Sequence, residues 1–202
     1  MSRDCKSLRI DKIQSILQFE RTNSITTQFF DKEKLKKAGI LIPFVCVDGC
    51  WSLLFTRRAD NLKSHQGQVS FPGGGKEQQD ETLIDTALRE AHEEIGLTKT
   101  SIHVLGLMPD FVTNSDFLVT PVVAWIDWPV PLEISMDEVS RVFTIPIQYL
   151  KNEKNWEERI YSHPSGWYGS VIFYNLYDGE LLWGISAKIT VDLLRMCKKI
   201  ID

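Results

Sequence analysis

Along this chain the apolar positions change their period several times, and each change marks an element. Residues 9 to 20, RIDKIQSILQFE, repeat Ile10, Ile13, Ile16 and Leu17 at three and four residues, which predicts an amphipathic helix. Two dense apolar runs follow, 40 to 47 (ILIPFVCV) and 51 to 56 (WSLLFT), which read as strands joined by a turn at Asp48-Gly49. A polar connection over 57 to 68 leads to a short strand ending at Phe71, after which Pro72 and three glycines break the pattern. From about Asp80 to Ile95 the helical period returns. Leu83, Ile84, Ala87, Leu88, Ala91 and Ile95 form one stripe, and Gly96 supplies the stop. Strand-like runs come next at 102 to 108, 117 to 126, 139 to 145 and 168 to 177, then a helical segment over 183 to 200. Strands alternating with a few helices predict a mixed α/β domain.

Composition narrows the partners. The net charge of −4 argues against a broad nucleic-acid surface, which needs a basic excess. No apolar run approaches membrane-spanning length, and the opening MSRDCKSLRIDK lacks a signal-peptide core, so no membrane partner is expected. Cys5, Cys46, Cys50 and Cys197 form no CxxC pair and no zinc spacing, so they read as idle thiols in a reducing, cytoplasmic setting. No repeat or linker divides the 202 residues. Residues 1 to 38 are set apart as an N-terminal helical extension, packed on the domain or on a second subunit, and 39 to 202 as the main domain.

The helix after the glycines carries the chemistry. Its apolar stripe leaves Arg89, Glu90, Glu93 and Glu94 largely on the other side. Glu90, Glu93 and Glu94 stand at i, i+3 and i+4, so their carboxylates converge within one turn. A solvated face would look the same, but the preceding Gly73, Gly74 and Gly75 let backbone approach a ligand without a Cβ in the way. Clustered carboxylates are hard oxygen donors suited to Mg²⁺ or Mn²⁺. Together the glycines and glutamates predict a metal-assisted phosphate site.

Gly75, five residues, Glu81, seven residues, then Arg89-Glu90-Ala91-His92-Glu93-Glu94-Ile95-Gly96-Leu97 resembles the Nudix box with no departure. Seven fixed residues at set places would arise by chance on the order of 10⁻⁹ per start position. The resemblance implies the Nudix fold, a mixed β-sheet sandwiched between helices (α/β/α), here with an extra N-terminal helix. It implies that Glu90 and Glu94 are the main metal ligands, with Glu93 a further or water-mediated one and the Gly74 carbonyl completing the set. Arg89 would orient the carboxylates or pair along the helix with Glu93 or Glu81, and Glu81 would be a structural partner. The implied activity is hydrolysis of a nucleoside diphosphate linked to another moiety.

Upstream, LLFTRRADNLKSHQGQVSFPGG (53 to 74) resembles the motif of the coenzyme A branch of that family, carried by Thr56, Arg58, Ala59, Gly67, Val69 and Phe71-Pro72-Gly73-Gly74. Lys63 stands where the pattern has arginine, which keeps the charge but loses the planar fork. LLWGISAKI (181 to 189) resembles the branch's W-G-x-T-A entry into the final helix, with Ser186 for threonine. The implied substrate is coenzyme A or its acyl or oxidised derivatives, cleaved to adenosine 3′,5′-bisphosphate and 4′-phosphopantetheine by a monomer or homodimer. Arg58, Lys63 and His65, with Gly73 and Gly74, are the substrate-binding candidates, the cations being expected at a phosphate away from the metal. Two rivals stand beside this reading: a hydrolase of oxidised dNTPs, NADH or ADP-ribose, and a non-catalytic nucleotide sensor on the same fold. For the general base, Asp110, Asp116, Asp137 and Glu138 are candidates, and Glu138 is favoured because it opens a strand that should end near the site.

Overall fold

A computed structural model of the chain describes residues 10–23, 34–62, 66–162 and 168–198. Ten strands and four α-helices occur there. The first helix, α1 (Ile10–Asn23), buries Ile13 and Leu17. It is followed by β1 (Lys36–Val47) and β2 (Cys50–Arg58), joined through Asp48 and Gly49, both at positive φ (49° and 80°), as a two-residue hairpin requires. Next come β3 (Val69–Ser70), β4 (Gly73–Gly75) and α2 (Leu83–Ile95). Then follow β5 (Ile102–Leu107), β6 (Phe111–Val112), β7 (Phe117–Ile126) and β8 (Val139–Pro146). The chain closes with α3 (Ile147–Leu150), β9 (Trp156–Ser162), β10 (Tyr168–Tyr174) and α4 (Gly184–Met196).

Eight strands form one mixed sheet with the path β3-β2-β1-β7-β5, with β4 on β1, β6 on β7 and β8 on β2, while β9 and β10 make a separate ribbon. β1 and β7 run parallel and the other pairings are antiparallel. The two faces follow the strand period of two. Ile42 and Phe44 of β1, with Leu53 and Phe55 of β2, join the cluster that holds Ile13 and Leu17 of α1 and Ile189 and Leu193 of α4. Leu41, Val45 and Leu54 face the other way, onto Ala87, Ala91 and Ile95 of α2. The sheet is therefore sandwiched between helices, as expected, and α1 packs on this same domain. No helix among the described residues is long and apolar enough to cross a membrane.

Several boundaries differ from the sequence expectation. β1 begins at Lys36, where it pairs with Phe117, so it takes in the last residues assigned to the N-terminal extension. The three glycines are not a turn: they pair with β1 as Ala38↔Gly75, Gly39↔Gly74 and Ile40↔Gly73. α2 starts at Leu83 rather than near Asp80, because Thr82 caps it. The Thr82 hydroxyl accepts from the Asp85 N–H, and the Asp85 carboxylate accepts from the Thr82 N–H. The last helix is described over Gly184–Met196, and residues 199 and 200 of the expected span lie outside the described residues. Cys46 is disulfide-bonded, which departs from four idle thiols, whereas Cys50 and Cys197 are free.

Candidate active site

The α2 helix must come close to the sheet, and two glycines make that possible. A Cβ on Gly39 would lie 2.4 Å from the Leu83 carbonyl oxygen, and one on Gly74 would lie 2.5 Å from the Glu90 carboxylate. Side chains there would push the helix off the sheet. With glycine at both, Glu90 and Glu94 lie against β4. Glu94 is 4% exposed.

Backbone orientation on β4 alternates. The Leu41 N–H donates to the Pro72 carbonyl and the Lys76 N–H to the Lys37 carbonyl. The pair between them, Gly39 and Gly74, falls in the same class of the antiparallel ladder, which turns the Gly74 carbonyl toward β1. The neighbouring glycines serve the helix instead. The Gly73 N–H acts on the Glu94 carboxylate, and the Gly75 carbonyl accepts from Arg89 Nη2 at 3.0 Å. A place for Gly74 among the ligands of an ion would use its carbonyl's second lone pair.

Arg89 is the hub of the acidic cluster. Its Nε and Nη2 donate to the two carboxylate oxygens of Asp80 at 3.1 and 3.0 Å. Its Nη1 donates to Glu90 at 3.0 Å and to Glu93 at 2.8 Å. Asp80, 3% exposed, also accepts from the Thr86 hydroxyl (2.9 Å) and the Glu77 N–H (2.9 Å). These bonds, led by that with Arg89, hold the Asp80 carboxyl well below the usual range, and Arg89 is raised in turn. Of the two expected helix partners Arg89 takes Glu93 and not Glu81, and its two-point partner is Asp80; the Glu81 backbone carbonyl accepts from Lys76 Nζ at 3.2 Å. Asp80 was missed in the sequence because its partner is nine residues away, beyond any helix spacing.

The two inner glutamates are perturbed upward. Burial, with the Glu90 charge next, pushes Glu94 up to about 8, while Arg58 and the Gly73 N–H pull the other way. Glu90 is raised, mainly by burial, against the attraction of Arg89. Glu94 Oε2 is buried with no hydrogen-bond partner. An orphaned carboxylate oxygen beside a second carboxylate is the donor set a divalent cation would satisfy. Glu93, by contrast, is 53% exposed and turned to Arg89. Among the described residues no three His, Cys, Asp or Glu side chains already form a cage. Mg²⁺ in general takes one or two carboxylates and fills its other positions with water and substrate phosphate.

Two further residues arrive from the β2–β8 pair. The register slips between Arg57 and Arg58, where Arg57 pairs with Arg141 but Arg58 with Val139. Such a bulge re-aims side chains. Arg57 is tied to Asp60 (2.7 Å), Ser140 (2.8 Å) and Glu180 (3.6 Å). Arg58 instead comes within electrostatic range of Glu94, and its Nε is buried without a partner. Glu138, whose carbonyl accepts the Ala59 N–H at 2.8 Å, acts electrostatically on both Glu90 and Glu94. Of the other candidate bases, Asp110 accepts from the Thr120 hydroxyl at 2.6 Å, and Asp116 sits at positive φ in a loop. Lys63 and His65 lie outside the described residues.

A family model described as the NUDIX domain matches residues 37–164. Among curated relatives, "Uncharacterized Nudix hydrolase NudL" of Yersinia pestis (strain Pestoides F) is 34% identical over 167 residues, covering 83% of this chain and 82% of that protein. The protein of the same name from Yersinia pseudotuberculosis serotype O:1b (strain IP 31758) matches to the same extent. Among solved structures, a MutT/nudix family protein from Enterococcus faecalis aligns with a TM-score of 0.54 at 17% identity, over 93% of this chain and 74% of that one. At that identity the likeness is one of fold.

Proposed function

The chain belongs to the NUDIX domain family, and from that premise we propose that it is a metal-dependent diphosphatase of coenzyme A and its acyl or oxidised derivatives. The products are adenosine 3′,5′-bisphosphate and 4′-phosphopantetheine. The observation that carries the phosphate chemistry is the buried, unpartnered Glu94 Oε2, set beside Glu90 and faced by Arg58 and the Gly73 N–H. The choice of coenzyme A rests on the segment Thr56 to Gly74 and its resemblance to that branch.

Glu90 and Glu94 would hold Mg²⁺ or Mn²⁺, with the Gly74 carbonyl and, through water, Glu93. The bound ion supplies neutralisation of phosphate charge and a more acidic water. Arg89, pinned by Asp80, fixes the Glu90 carboxylate in place. Arg58 takes a diphosphate oxygen, an interaction that strengthens as charge builds on phosphorus. Glu138 accepts the proton of the attacking water. Lys63 and His65 belong to this proposal as further substrate contacts. So do a cytoplasmic location, a monomeric or homodimeric state, and a division into an N-terminal extension and a main domain, its boundary moved from residue 38 to just before β1 at Lys36.

The test is a substrate panel of CoA, dephospho-CoA, NADH, ADP-ribose and dGTP with Mg²⁺ or Mn²⁺, products identified by mass. Efficient release of adenosine 3′,5′-bisphosphate from CoA is expected. Turnover of NADH, ADP-ribose or dGTP with CoA untouched would reassign the substrate, and binding without turnover of any would leave a sensor.

A further inference from the structure

The α2 helix closes on a left-handed residue, Gly96 (φ 73°, ψ 14°). The Gly96 N–H donates to the His92 carbonyl at 2.8 Å and the Leu97 N–H to the Ala91 carbonyl at 3.3 Å. The last carbonyls, those of Glu94 and Ile95, lie past the reach of any helical N–H. The loop before β8 takes them instead. The Ser135 N–H donates to the Glu94 carbonyl at 2.9 Å, and the Glu133 N–H to the Ile95 carbonyl at 3.2 Å.

That loop comes so close because Gly96 has no side chain. A Cβ there would lie 2.6 Å from the Glu133 nitrogen, 2.8 Å from the Glu133 Cβ and 3.1 Å from its Cα. No change of rotamer relieves contacts with these atoms, so the loop itself would have to move. The left-handed φ alone does not single Gly96 out. Gly49 has a φ of 80°, and a Cβ on it would meet nothing within 4 Å.

The loop carries Glu138. The Ser135 carbonyl accepts the Glu138 N–H at 2.9 Å and the Val139 N–H at 2.8 Å. Ser135 therefore bonds Glu94 through its N–H and Glu138 through its carbonyl, a main-chain bridge between the two. The Glu138 side chain is exposed, so its place follows that main chain.

We propose that Gly96 is a positioning residue for Glu138: the space left by its missing side chain seats residues 133–138 on the end of α2 and sets where Glu138 stands relative to Glu94. The inference rests on Glu138 as the proton acceptor of the reaction proposed above, and on no particular substrate. Proton transfer needs hydrogen-bond reach, and a displacement of about 1 Å can cost on the order of a hundredfold. Glu90 and Glu94 precede Gly96 within the helix, so a shift of the loop leaves their spacing intact.

The test compares Gly96→Ala, Gly49→Ala, Ser135→Pro and Glu138→Gln with wild type, on whichever substrate of the panel wild type cleaves. In Gly96→Ala kcat should fall at least about tenfold, while KM and Mn²⁺ affinity stay within about threefold. Gly49→Ala carries the same backbone strain without the collision and should keep its kcat. Ser135→Pro removes the N–H bonded to the Glu94 carbonyl without touching α2, and should reproduce the split if Gly96→Ala folds poorly. Adding Gly96→Ala to Glu138→Gln should cost no more than about a further twofold. Amide exchange in EDTA reads the seating without turnover: the Glu133, Ser135 and Glu138 N–H groups should exchange at least about tenfold faster in Gly96→Ala and not in Gly49→Ala. Unchanged exchange in Gly96→Ala, full kcat there while Glu138→Gln is impaired, or losses that add in full would overturn the positioning role alone. Normal kcat in Glu138→Gln would remove the proton acceptor and the positioning role together.

Discussion

Arg89 and Asp80 form a two-point contact, Nε to Oδ1 at 3.1 Å and Nη2 to Oδ2 at 3.0 Å, with the carboxylate almost fully enclosed. This pair joins the loop after β4 to α2, and the same guanidinium reaches Glu90 and Glu93. Arg89 therefore links the stability of the loop to the position of the glutamates.

The first prediction follows from that enclosure. Asp80→Asn leaves a guanidinium without its main counter-charge in a poorly solvated place. Breaking such a pair costs roughly 3 kcal/mol, which lowers Tm by about 5–10 °C for a chain of this size. Glu81→Gln, with its side chain in solvent, should leave Tm within a degree or so. Thermal melting of the two variants decides it, and equal losses would remove the special standing of Asp80.

Replacing Glu90 or Glu94 with glutamine keeps the shape and removes the charge that would bind a cation. The fold should survive, because α2 is anchored by Ala87, Ala91 and Ile95. Activity should fall by at least about a hundredfold, since both water activation and transition-state charge are affected. Glu93→Gln should cost less, as that side chain is half in solvent and already held by Arg89. Near-normal kcat in both Glu90→Gln and Glu94→Gln would return these glutamates to the status of a helix face.

Glu94 also makes a pH prediction. Its carboxyl rises from the ordinary 4.5 to about 8 in the metal-free fold. Between those values the folded protein keeps a proton that the unfolded chain has released, so this group's contribution falls as pH rises through that window. A divalent ion would take the place of the proton. The rise in Tm on adding Mn²⁺ should therefore be small near pH 5.5 and larger near pH 8. Glu94→Gln should be less sensitive to pH over the same range and respond less to Mn²⁺. Parallel pH profiles for wild type and variant would remove Glu94 as the source.

Much of this architecture was legible because period and burial agree. Ile13 and Leu17 of α1, and Ala87, Ala91 and Ile95 of α2, are buried at the positions their spacing indicated. The glycines misled because a Gly run signals a turn locally. They form a strand here, and two of them must be glycine for a tertiary reason: a Cβ on Gly73 would strike β1 and one on Gly74 would strike Glu90, while Gly75 has open space. β9 escaped notice because Glu157, Glu158 and Arg159 interrupt its apolar pattern. It is a ribbon strand with most of its residues in solvent, so no burial imposed alternation. The Thr82-x-x-Asp85 box was present in the sequence and would have moved the helix start. The Asp80–Arg89 pair and the bulge at Arg58 leave no local trace, since both depend on what lies across the fold.

Arg57 and Arg58 are adjacent in sequence and opposite in role, and this gives the last prediction. Arg57 is held by Asp60, Ser140 and Glu180, so Arg57→Ala should lower stability and change KM little. Arg58 has a buried Nε without a partner and lies near Glu94. If it meets the diphosphate, Arg58→Ala should weaken binding by the worth of one charged hydrogen bond, roughly 1.5–3 kcal/mol, or about ten- to a hundredfold in kcat/KM. Because that contact lies at the scissile linkage, CoA and dephospho-CoA should suffer alike. A loss confined to CoA would mean that Arg58 reads the 3′-phosphate instead, and the guanidinium would then have to point away from the glutamates when substrate is bound.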